Sequence, residues 1–281
     1  MNKNTLSNAI KGLAIGGSML VPGVSGGTMA IILGIYDELV TSVSSFLKHK
    51  KKSIIFLLTF CIGAIIGILL FSRPILYLIE NFELPMMYFF MGAVAGGVPL
   101  IFREAHVKRF SIPAVLFTLL GVVIVIALSL VSNQSFAVTG DIGWLNMLML
   151  VVAGIIVAVA LVLPGISASY MLLILGIYDI TMRAITQFEL MYIIPLAVGC
   201  LLGIVLTTKI LEYCMTKHPF ATYLIILGFI IGSIVEIFPG IPTGINWLFC
   251  PILFIAGFLI IHMLTKMEAK NQSNLTPEHE G

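Results

Sequence analysis

Long runs of uncharged, mostly apolar residues fill most of this 281-residue chain. A helix that crosses a lipid bilayer needs about 20 such residues, and several of the runs reach that length. Apolar residues make up 59% of the chain and charged residues 10%, whereas about 25% of the residues of a soluble domain are charged. We therefore predict an all-α integral membrane protein, because a helix satisfies its own backbone hydrogen bonds in lipid.

The charge and the cysteine content exclude other classes of protein. The formal net charge is +2 without a long basic stripe, so we expect no nucleic-acid partner. The four cysteines lie in or beside apolar runs, and no two are spaced as Cys-x-x-Cys. We therefore predict neither a disulfide framework nor a metal site, and we expect no cofactor.

The apolar runs form a pattern, a long broken segment followed by three single spans, that occurs twice. Pro22-Gly23 interrupts the first long segment and Pro164-Gly165 the second. Such a pair ends a helix because proline lacks an N–H and glycine tolerates the turn. We predict that each broken segment is a helical hairpin, which either re-enters the membrane or crosses it twice.

The first predicted repeat is 1–135, with its hairpin at 5–47 and spans at 53–72, 84–102 and 112–131. The second is 136–265, with its hairpin at 142–188 and spans at 190–208, 219–238 and 247–265, and 266–281 form a polar cytoplasmic tail that we expect to be disordered.

The two halves also match residue by residue, which indicates a duplication. Val21–Asp37 corresponds to Leu163–Asp179 at an offset of 142 residues. The glycines of the later spans correspond at an offset of 136, pairing Gly63 with Gly199, Gly67 with Gly203, Gly92 with Gly228 and Gly96 with Gly232.

The number of crossings in each repeat predicts that the second copy is inverted. A hairpin contributes an even number of crossings whether it re-enters or crosses twice, and three spans make the total odd. Inverted repeats of this kind are typical of secondary transporters. This topology leaves only Arg73 and Arg183, of the 15 lysines and arginines, on one side. The other side is therefore predicted to be the cytoplasm, with both termini there.

The residues that follow each Pro-Gly break are suited to an anion site. Ser25 and Ser167 precede new apolar runs and are predicted N-caps, and free N–H groups at a helix start attract anions. Inversion would bring both starts toward the middle of the membrane. The alternative is that the small residues only let helices pack closely. The predicted substrate-binding residues are Pro22, Gly23, Ser25, Gly26, Gly27 and Thr28 in the first copy and Pro164, Gly165, Ser167 and Ser169 in the second.

A few charged residues lie at or near the predicted outer side or at the hairpin ends. Arg73 and Arg183 either anchor helices at the surface or attract a phosphate from the outer leaflet. Glu236, near the outer end of its span, is the candidate intramembrane carboxylate for a coupling role. Asp37 and Asp179 are either hairpin-end caps or proton carriers, and the spacing of Asp179 and Arg183 predicts an ion pair.

Besides a transporter, a membrane enzyme that acts on a lipid headgroup is a further class of protein to consider. Gly23-Val-Ser25-Gly-Gly27 formally matches the Gly-x-Ser-x-Gly pattern of hydrolases, but its setting is not strand–turn–helix. No histidine lies within a predicted span near Ser25 to serve as a base. We therefore predict no catalytic residues and no enzyme activity.

Val21-Pro-Gly-Val-Ser-Gly-Gly-Thr28 and Leu163-Pro-Gly-Ile-Ser-Ala-Ser169, each followed by Leu-Gly-Ile-Tyr-Asp, resemble the motifs of the polyprenyl-phosphate, or undecaprenyl-phosphate, transporter family. That family was formerly known as a membrane domain of unknown function. The resemblance extends from about Leu6 to Thr265. It implies a flippase of the bacterial cytoplasmic membrane that returns the phosphorylated lipid carrier of cell-wall synthesis from the outer to the inner leaflet. Ala168 and Tyr170 depart from the first copy, which leaves the second copy's role less defined.

Apart from the resemblance, the residues indicate an anion transporter without identifying its substrate. A transporter or channel for a small soluble anion is the alternative to a lipid-phosphate translocase. A groove open sideways to lipid would favour the lipid substrate, and a sealed aqueous funnel would favour the soluble anion.

Overall fold

The computed structural model describes residues 3–19, 25–46, 48–107, 111–130 and 143–275. Within these ranges the chain forms eleven α-helices and no strand, which confirms the predicted all-α fold. In chain order the helices are α1 (Lys3–Ser18), α2 (Gly26–Ile32), α3 (Tyr36–Ser44), α4 (Lys50–Glu104), α5 (Ile112–Leu130), α6 (Trp144–Val162), α7 (Ala168–Ile174), α8 (Tyr178–Gln187), α9 (Leu190–Lys217), α10 (Pro219–Ile237) and α11 (Asn246–Leu275).

Several of the described helices are long and apolar enough to cross a membrane. Four meet both conditions, α4, α6, α9 and α11, and the bent pair of α7 and α8 adds a fifth if it counts as one span. Shorter apolar stretches lie in α5 (Ile112–Leu128) and α10 (Pro219–Ile234). α4 has 55 residues and, at about 1.5 Å per residue, is more than twice as long as the roughly 30 Å hydrocarbon core. The chain is therefore a multi-pass membrane protein, as predicted.

Two predicted spans, 53–72 and 84–102, are joined within α4 without a loop. The backbone leaves helical geometry at Phe82, where φ is −140° and ψ is 45°. Pro85 follows three residues later, and its ring removes an N–H and crowds the carbonyl group four residues before it. The proline explains why the helix breaks here, while apolar residues on both sides continue the helix.

Glycines set the packing of α1 on the 50–81 part of α4, and of α6 on α9. A methyl group at Gly12 or Gly63 would overlap a backbone carbonyl oxygen of the opposite helix. The same is true of Gly154 and Gly199 between α6 and α9. The second pair lies 142 and 136 positions beyond the first. In both places the two backbones approach closely, which is a main source of helix association in lipid.

Glycines also join the 83–104 part of α4 to α11, and α5 to α10. A methyl group at Gly92 or Gly257 would overlap the backbone of the partner helix, and so would one at Gly228 or Gly121. These contacts cross between the predicted repeats, because α4 and α5 come from the first and α10 and α11 from the second. The two halves of the chain are therefore interlocked through their later helices.

The largest buried cluster lies where α2 and α3 meet α4 and α10. Ile32, Ile101 and Leu224 are fully buried there, one from each of α2, α4 and α10. Many side chains on the outer faces of the long helices are large, apolar and exposed, as expected where lipid replaces water.

Each Pro-Gly segment is divided into three helices, α1–α3 in the first copy and α6–α8 in the second. The second and third helices meet at Gly34 (φ 60°) and Gly176 (φ 69°), in a left-handed conformation that glycine adopts at little cost. α7 and α8 are bent by 115° relative to each other. The repeated Leu-Gly-Ile-Tyr sequence therefore marks a helix break in both copies, with a measured bend in the second.

The last helix is longer than the predicted span 247–265, because α11 continues to Leu275. Residues 266–269 are Lys, Met, Glu and Ala, which are strong helix formers, so the helix continues past the apolar run. The expected disorder is therefore wrong for 266–275, and 276–281 lie outside the described residues.

Candidate functional site

The first break ends at Ser25, which caps the start of α2. Ser25 has extended geometry (φ −83°, ψ 139°), and its hydroxyl oxygen accepts a hydrogen bond from the backbone N–H of Thr28 over 3.2 Å. The two side-chain hydroxyls are 3.3 Å apart. The cap therefore occupies one of the free N–H groups of the first turn. Pro22 and Gly23 lie outside the described residues.

The second break has the same form at Ser167, which caps α7. Its hydroxyl oxygen accepts from the backbone N–H of Tyr170 over 3.3 Å. Gly165 lies in the left-handed region (φ 80°), and a methyl group there would come within 2.5 Å of the backbone of Phe229. Only glycine fits this position without strain. Ser169 is exposed.

The structure brings the two breaks into direct contact. The backbone N–H of Gly165 donates to the Thr28 hydroxyl over 3.0 Å and lies 3.4 Å from the Ser25 hydroxyl. A methyl group on Gly27 would lie 3.2 Å from the Cα of Pro164. Five of the predicted site residues, far apart in the chain, therefore meet at one place.

Tyr36 makes a second connection between the two broken segments, and the sequence analysis did not single it out. It is 4% exposed, and its hydroxyl donates to the carbonyl oxygen of Val162 over 2.9 Å. That carbonyl belongs to the last turn of α6, whose final carbonyls have no partner within the helix. The sequence signal that could have identified Tyr36 is the Ile-Tyr-Asp tripeptide, which both copies contain. Tyr36 therefore fixes the end of α6 immediately before the second break.

Polar contacts also join α3 to the second half of the chain. The Tyr223 hydroxyl donates to the Asp37 carboxylate over 2.7 Å, and the Ser44 hydroxyl donates to the Glu212 carboxylate. The Ser45 hydroxyl lies 3.5 Å from the other oxygen of Glu212. These contacts join α3 to the start of α10 and the last turns of α9, and Tyr223 and Glu212 were not among the predicted site residues.

A cleft of about 250 Å³ opens beside the Asp37–Tyr223 contact. Desolvation by the surrounding protein raises the pKa of the Asp37 carboxyl above its ordinary value. The hydrogen bond from Tyr223 lowers that pKa, and the charge of Glu104 raises it. Asp37 keeps exposed surface toward the cleft, so it remains in contact with water. The cleft is lined by Ile31, Gly34, Tyr36, Asp37, Glu38, Leu100, Arg103, Glu104, Tyr223 and Thr265.

The remaining predicted residues are not brought to the two breaks. Arg73, Asp179 and Arg183 are exposed. In the described part of the chain, Asp179 and Arg183 do not form the predicted ion pair, whereas Arg103 and Glu104 pair at 3.1 Å. The side chain of Glu236 lies outside the described residues.

Between described residues, hydroxyl and backbone groups make the hydrogen bonds that cap the two breaks and join them. Among the described residues, no three His, Cys, Asp or Glu side chains cluster closely enough to hold a metal ion. Such a site offers hydrogen bonds and partial positive charge at helix starts, which suit a group bearing negative oxygens.

Comparison with known proteins finds one matching family and two named relatives. The model of the VCA0040-like family, described as undecaprenyl phosphate translocase-like, matches residues 15–248, which include both breaks. A protein of Staphylococcus aureus named polyprenyl-phosphate transporter is 34% identical over 277 residues, covering 94% of this chain and 98% of that protein. A Vibrio cholerae protein of the same name is 30% identical over 258 residues, covering 87% and 80%.

No solved structure is significantly similar to this chain. The names of the family and of both relatives are those of transporters and not of enzymes. The family match covers well over half of the chain, and it includes the two breaks that meet through Thr28 and Gly165. The chain therefore belongs to the family of undecaprenyl phosphate translocase-like membrane proteins.

Proposed function

We propose that this chain transports polyprenyl phosphate across the bacterial cytoplasmic membrane, from the outer to the inner leaflet, and so recycles the lipid carrier of cell-envelope synthesis. The observation that carries the proposal is the direct contact between two Pro-Gly breaks in a chain of this family. Both relatives are named for the same lipid. Neither relative's name specifies a direction, so the direction rests on the family resemblance.

The proposed architecture is an inverted duplication with its boundary near residue 135. The matching glycine contacts support it, because Gly12 and Gly154 occupy corresponding places, and so do Gly121 and Gly257. The exchange of later helices between the halves also supports it, since a two-fold relationship produces such reciprocal contacts. In this architecture the two breaks approach the middle of the membrane from opposite sides, and α1–α3 and α6–α8 are the two hairpins.

We place the phosphate at the two breaks. Ser25, Gly26, Gly27 and Thr28 begin α2, and Ser167 and Ser169 lie at the beginning of α7. Hydroxyl and backbone N–H groups there bind phosphate oxygens without the cost of a buried charge. The Pro-Gly pairs keep the breaks open in this proposal, and the prenyl chain remains in contact with lipid.

The charged residues have secondary roles in the proposal. Arg73 and Arg183 are exposed, so they are accessible to attract the phosphate at the outer surface. Asp37, Asp179 and Glu236 are candidates for coupling transport to an ion. The raised pKa of Asp37 makes it the first of the three to test, because proton uptake then lies closer to neutral pH.

The distribution of basic residues supports an orientation with both termini in the cytoplasm. α3 contacts the last turns of α9 and the start of α10, and the charge distribution assigns all of these segments to the cytoplasmic side. Their proximity in the fold agrees with that assignment.

Leaflet-resolved transport in liposomes tests the function. Purified protein is reconstituted with a labelled polyprenyl phosphate, and the appearance of label in the opposite leaflet is followed. Label should cross faster than in protein-free liposomes, an uncharged polyprenol should not, and excess inorganic phosphate should compete weakly. Transport of inorganic phosphate without transport of the lipid would favour the soluble-anion alternative and overturn the proposal.

A matched pair of valine variants tests the site in the same assay. In Gly27→Val the new side chain would push against Pro164, and transport should fall sharply. In Gly143→Val the added Cβ meets nothing within 4 Å, so transport should remain near the wild-type rate. Equal transport by both variants would contradict a site at the breaks.

A further inference from the structure

α3 is attached to the second half of the chain at one end of the protein. We call this region the α3 end, and it consists of α3, the last turns of α9 and the start of α10. Two hydrogen bonds attach α3 there. The Tyr223 hydroxyl donates to the Asp37 carboxylate, and the Glu212 carboxylate accepts from the Ser44 hydroxyl. Tyr36, Val40 and Ser42 are buried along the same helix. The α3 end is therefore held together by both apolar packing and hydrogen bonds, beside the cleft at Asp37.

α8 corresponds to α3 in the second half, but it is not attached in the same way. α8 packs against α7 and α9, and in the described part of the chain it makes no comparable contact with α4. Thr186 and Gln187 correspond to Ser44 and Ser45 at the 142-residue offset, and both are exposed, whereas Ser44 and Ser45 are half-buried. We call the corresponding region, α8 with the 73–87 part of α4, the α8 end; among the described residues it lacks the polar attachment that holds the α3 end together.

The sequence contains the same asymmetry. At the 136-residue offset, the position that corresponds to Glu212 is Leu76, and the position that corresponds to Tyr223 is Met87. Leucine has no group that accepts a hydrogen bond from Thr186, and methionine has no hydroxyl to donate to Asp179. These two polar contacts of the α3 end therefore have no counterpart at the corresponding positions of the α8 end.

We propose that α3 is a gate that closes one end of the transport path, and that Tyr223 and Glu212 are the positioning residues that hold it closed while the α8 end stays open. This inference rests on the proposed function, since a gate needs a path. In the proposed orientation the closed end is cytoplasmic. We then expect the lipid phosphate to enter from the outer side, and of the predicted site residues Ser169, at the start of α7, is exposed, whereas Thr28 and Gly165 are buried.

Chemical cross-linking of paired cysteines tests the gate. In a variant with Cys61, Cys200, Cys214 and Cys250 replaced, cysteines are introduced at Ser44 and Glu212, or at the corresponding Thr186 and Leu76. A short, membrane-permeant bis-methanethiosulfonate then joins cysteines that are close, and a reductant releases them. Without substrate, the 44/212 pair should react at least severalfold faster than the 76/186 pair.

Transport gives the second measurement. The cross-linked 44/212 protein should lose polyprenyl-phosphate transport, and reduction should restore it. Equal reaction rates of the two pairs, or undiminished transport by the cross-linked protein, would overturn the gate. If the reduced protein and the wild type both fail to carry the lipid, the proposed function fails, while the two reaction rates still decide whether the ends differ.

The variant Tyr223→Phe tests whether Tyr223 holds the gate closed or has only a structural role. Because the 44/212 pair has already removed the Glu212 contact, the hydrogen bond from Tyr223 to Asp37 is the remaining described side-chain hydrogen bond that joins α3 to α9 or α10. Tyr223→Phe keeps the ring and removes the hydroxyl, so it should slow cross-linking at the α3 end about threefold to tenfold, the range expected for one hydrogen bond. An unchanged ratio between the two ends would show that Tyr223 does not hold the gate.

Discussion

The backbone N–H of Gly165 donates to the hydroxyl of Thr28 over 3.0 Å and so joins the two Pro-Gly breaks across 137 positions of sequence. Thr28 is 2% exposed, which leaves neither water nor lipid to replace the bond. A buried N–H without a partner costs more free energy than the bond itself contributes. The separation between the two breaks therefore depends mainly on the Thr28 hydroxyl, since the Ser25 hydroxyl lies 3.4 Å from the same N–H.

Thr28→Val should lower both the thermal stability and the transport rate. The two side chains have nearly the same shape, so the change removes the hydroxyl and leaves the Gly165 N–H with only the longer contact to Ser25, at a cost of about 1 kcal/mol. Thr28→Ser keeps the hydroxyl and is the control, with near-normal transport. Thermal unfolding and liposome transport measure the two effects. A Thr28→Val protein that melts and transports like the wild type would show that the bond is dispensable.

Gly165→Ala should be more damaging than Gly240→Ala. Both glycines have positive φ, 80° and 101°, so both substitutions carry a backbone penalty of about 1–2 kcal/mol. At Gly165 the new methyl group also comes within 2.5 Å of the Phe229 backbone, whereas Gly240 has nothing within 4 Å. Expression level and melting temperature should fall further for Gly165→Ala. Equal losses would mean that backbone conformation alone explains this glycine.

The sequence was sufficient to predict the all-helical class and the helix caps at Ser25 and Ser167, because each depends on local chemistry. Runs of apolar residues mark the helices, and Pro-Gly followed by Ser marks the two caps at Ser25 and Ser167. The break at Phe82 was harder to place, since the residues around it continue the helical pattern and only Pro85 signals the irregularity.

The long-range polar contacts were beyond the reach of the sequence. Tyr36 reaches Val162 across 126 positions, and Tyr223 reaches Asp37 across 186. Which residues meet at such separations depends on how the helices pack. The glycines at 92 and 228 indicated close packing, but a small residue does not identify its partner helix. The exchange of later helices between the two halves therefore became visible only in the fold.

Arg73→Ala/Arg183→Ala should slow transport at low ionic strength and have little effect at high salt. Exposed cations raise the encounter rate of an anionic headgroup, and salt screens that attraction. Lys48→Ala/Lys50→Ala, which removes two cations from the opposite predicted side, is the control and should leave the initial rate of outer-leaflet uptake unchanged. Normal transport by the arginine variant at low salt would limit both arginines to anchoring.

Lys50→Cys should resist labelling by a membrane-impermeant thiol reagent added outside intact cells, whereas Arg73→Cys should label readily. The prediction follows from the basic residues, which place position 50 in the cytoplasm and position 73 outside. Both positions are exposed, so burial does not decide the result, and permeabilised cells provide the control for reactivity. Labelling at position 50 in intact cells would overturn the orientation and the direction of transport with it.

The α3 gate should close more firmly as the pH falls. The pKa of Asp37 is raised in the closed conformation, mainly by desolvation, so closing favours the protonated carboxyl. This contribution is complete below the ordinary pKa of 3.8 and is lost as the pH rises through the raised value. Cross-linking of the 44/212 pair at a series of pH values, corrected for thiol reactivity with the 76/186 pair, measures the change. The charged or titratable groups around Asp37 are Tyr36 and Glu38 on α3, Arg103 and Glu104 on α4 and Tyr223 on α10.

Asp37→Asn is the variant that assigns this pH dependence to Asp37. Asparagine keeps an oxygen that accepts from Tyr223 but does not titrate, so the gate should close to the same extent at every pH tested. Glu212 cannot contribute, because the 44/212 pair replaces it with cysteine. Glu38→Gln and Glu104→Gln are the matched controls for the neighbouring carboxylates and should keep most of the pH dependence. Two outcomes would show that Asp37 does not control the gate. In the first, Asp37→Asn retains the full pH dependence. In the second, the gate closes less firmly on acidification both with Asp37 and with Asn at this position.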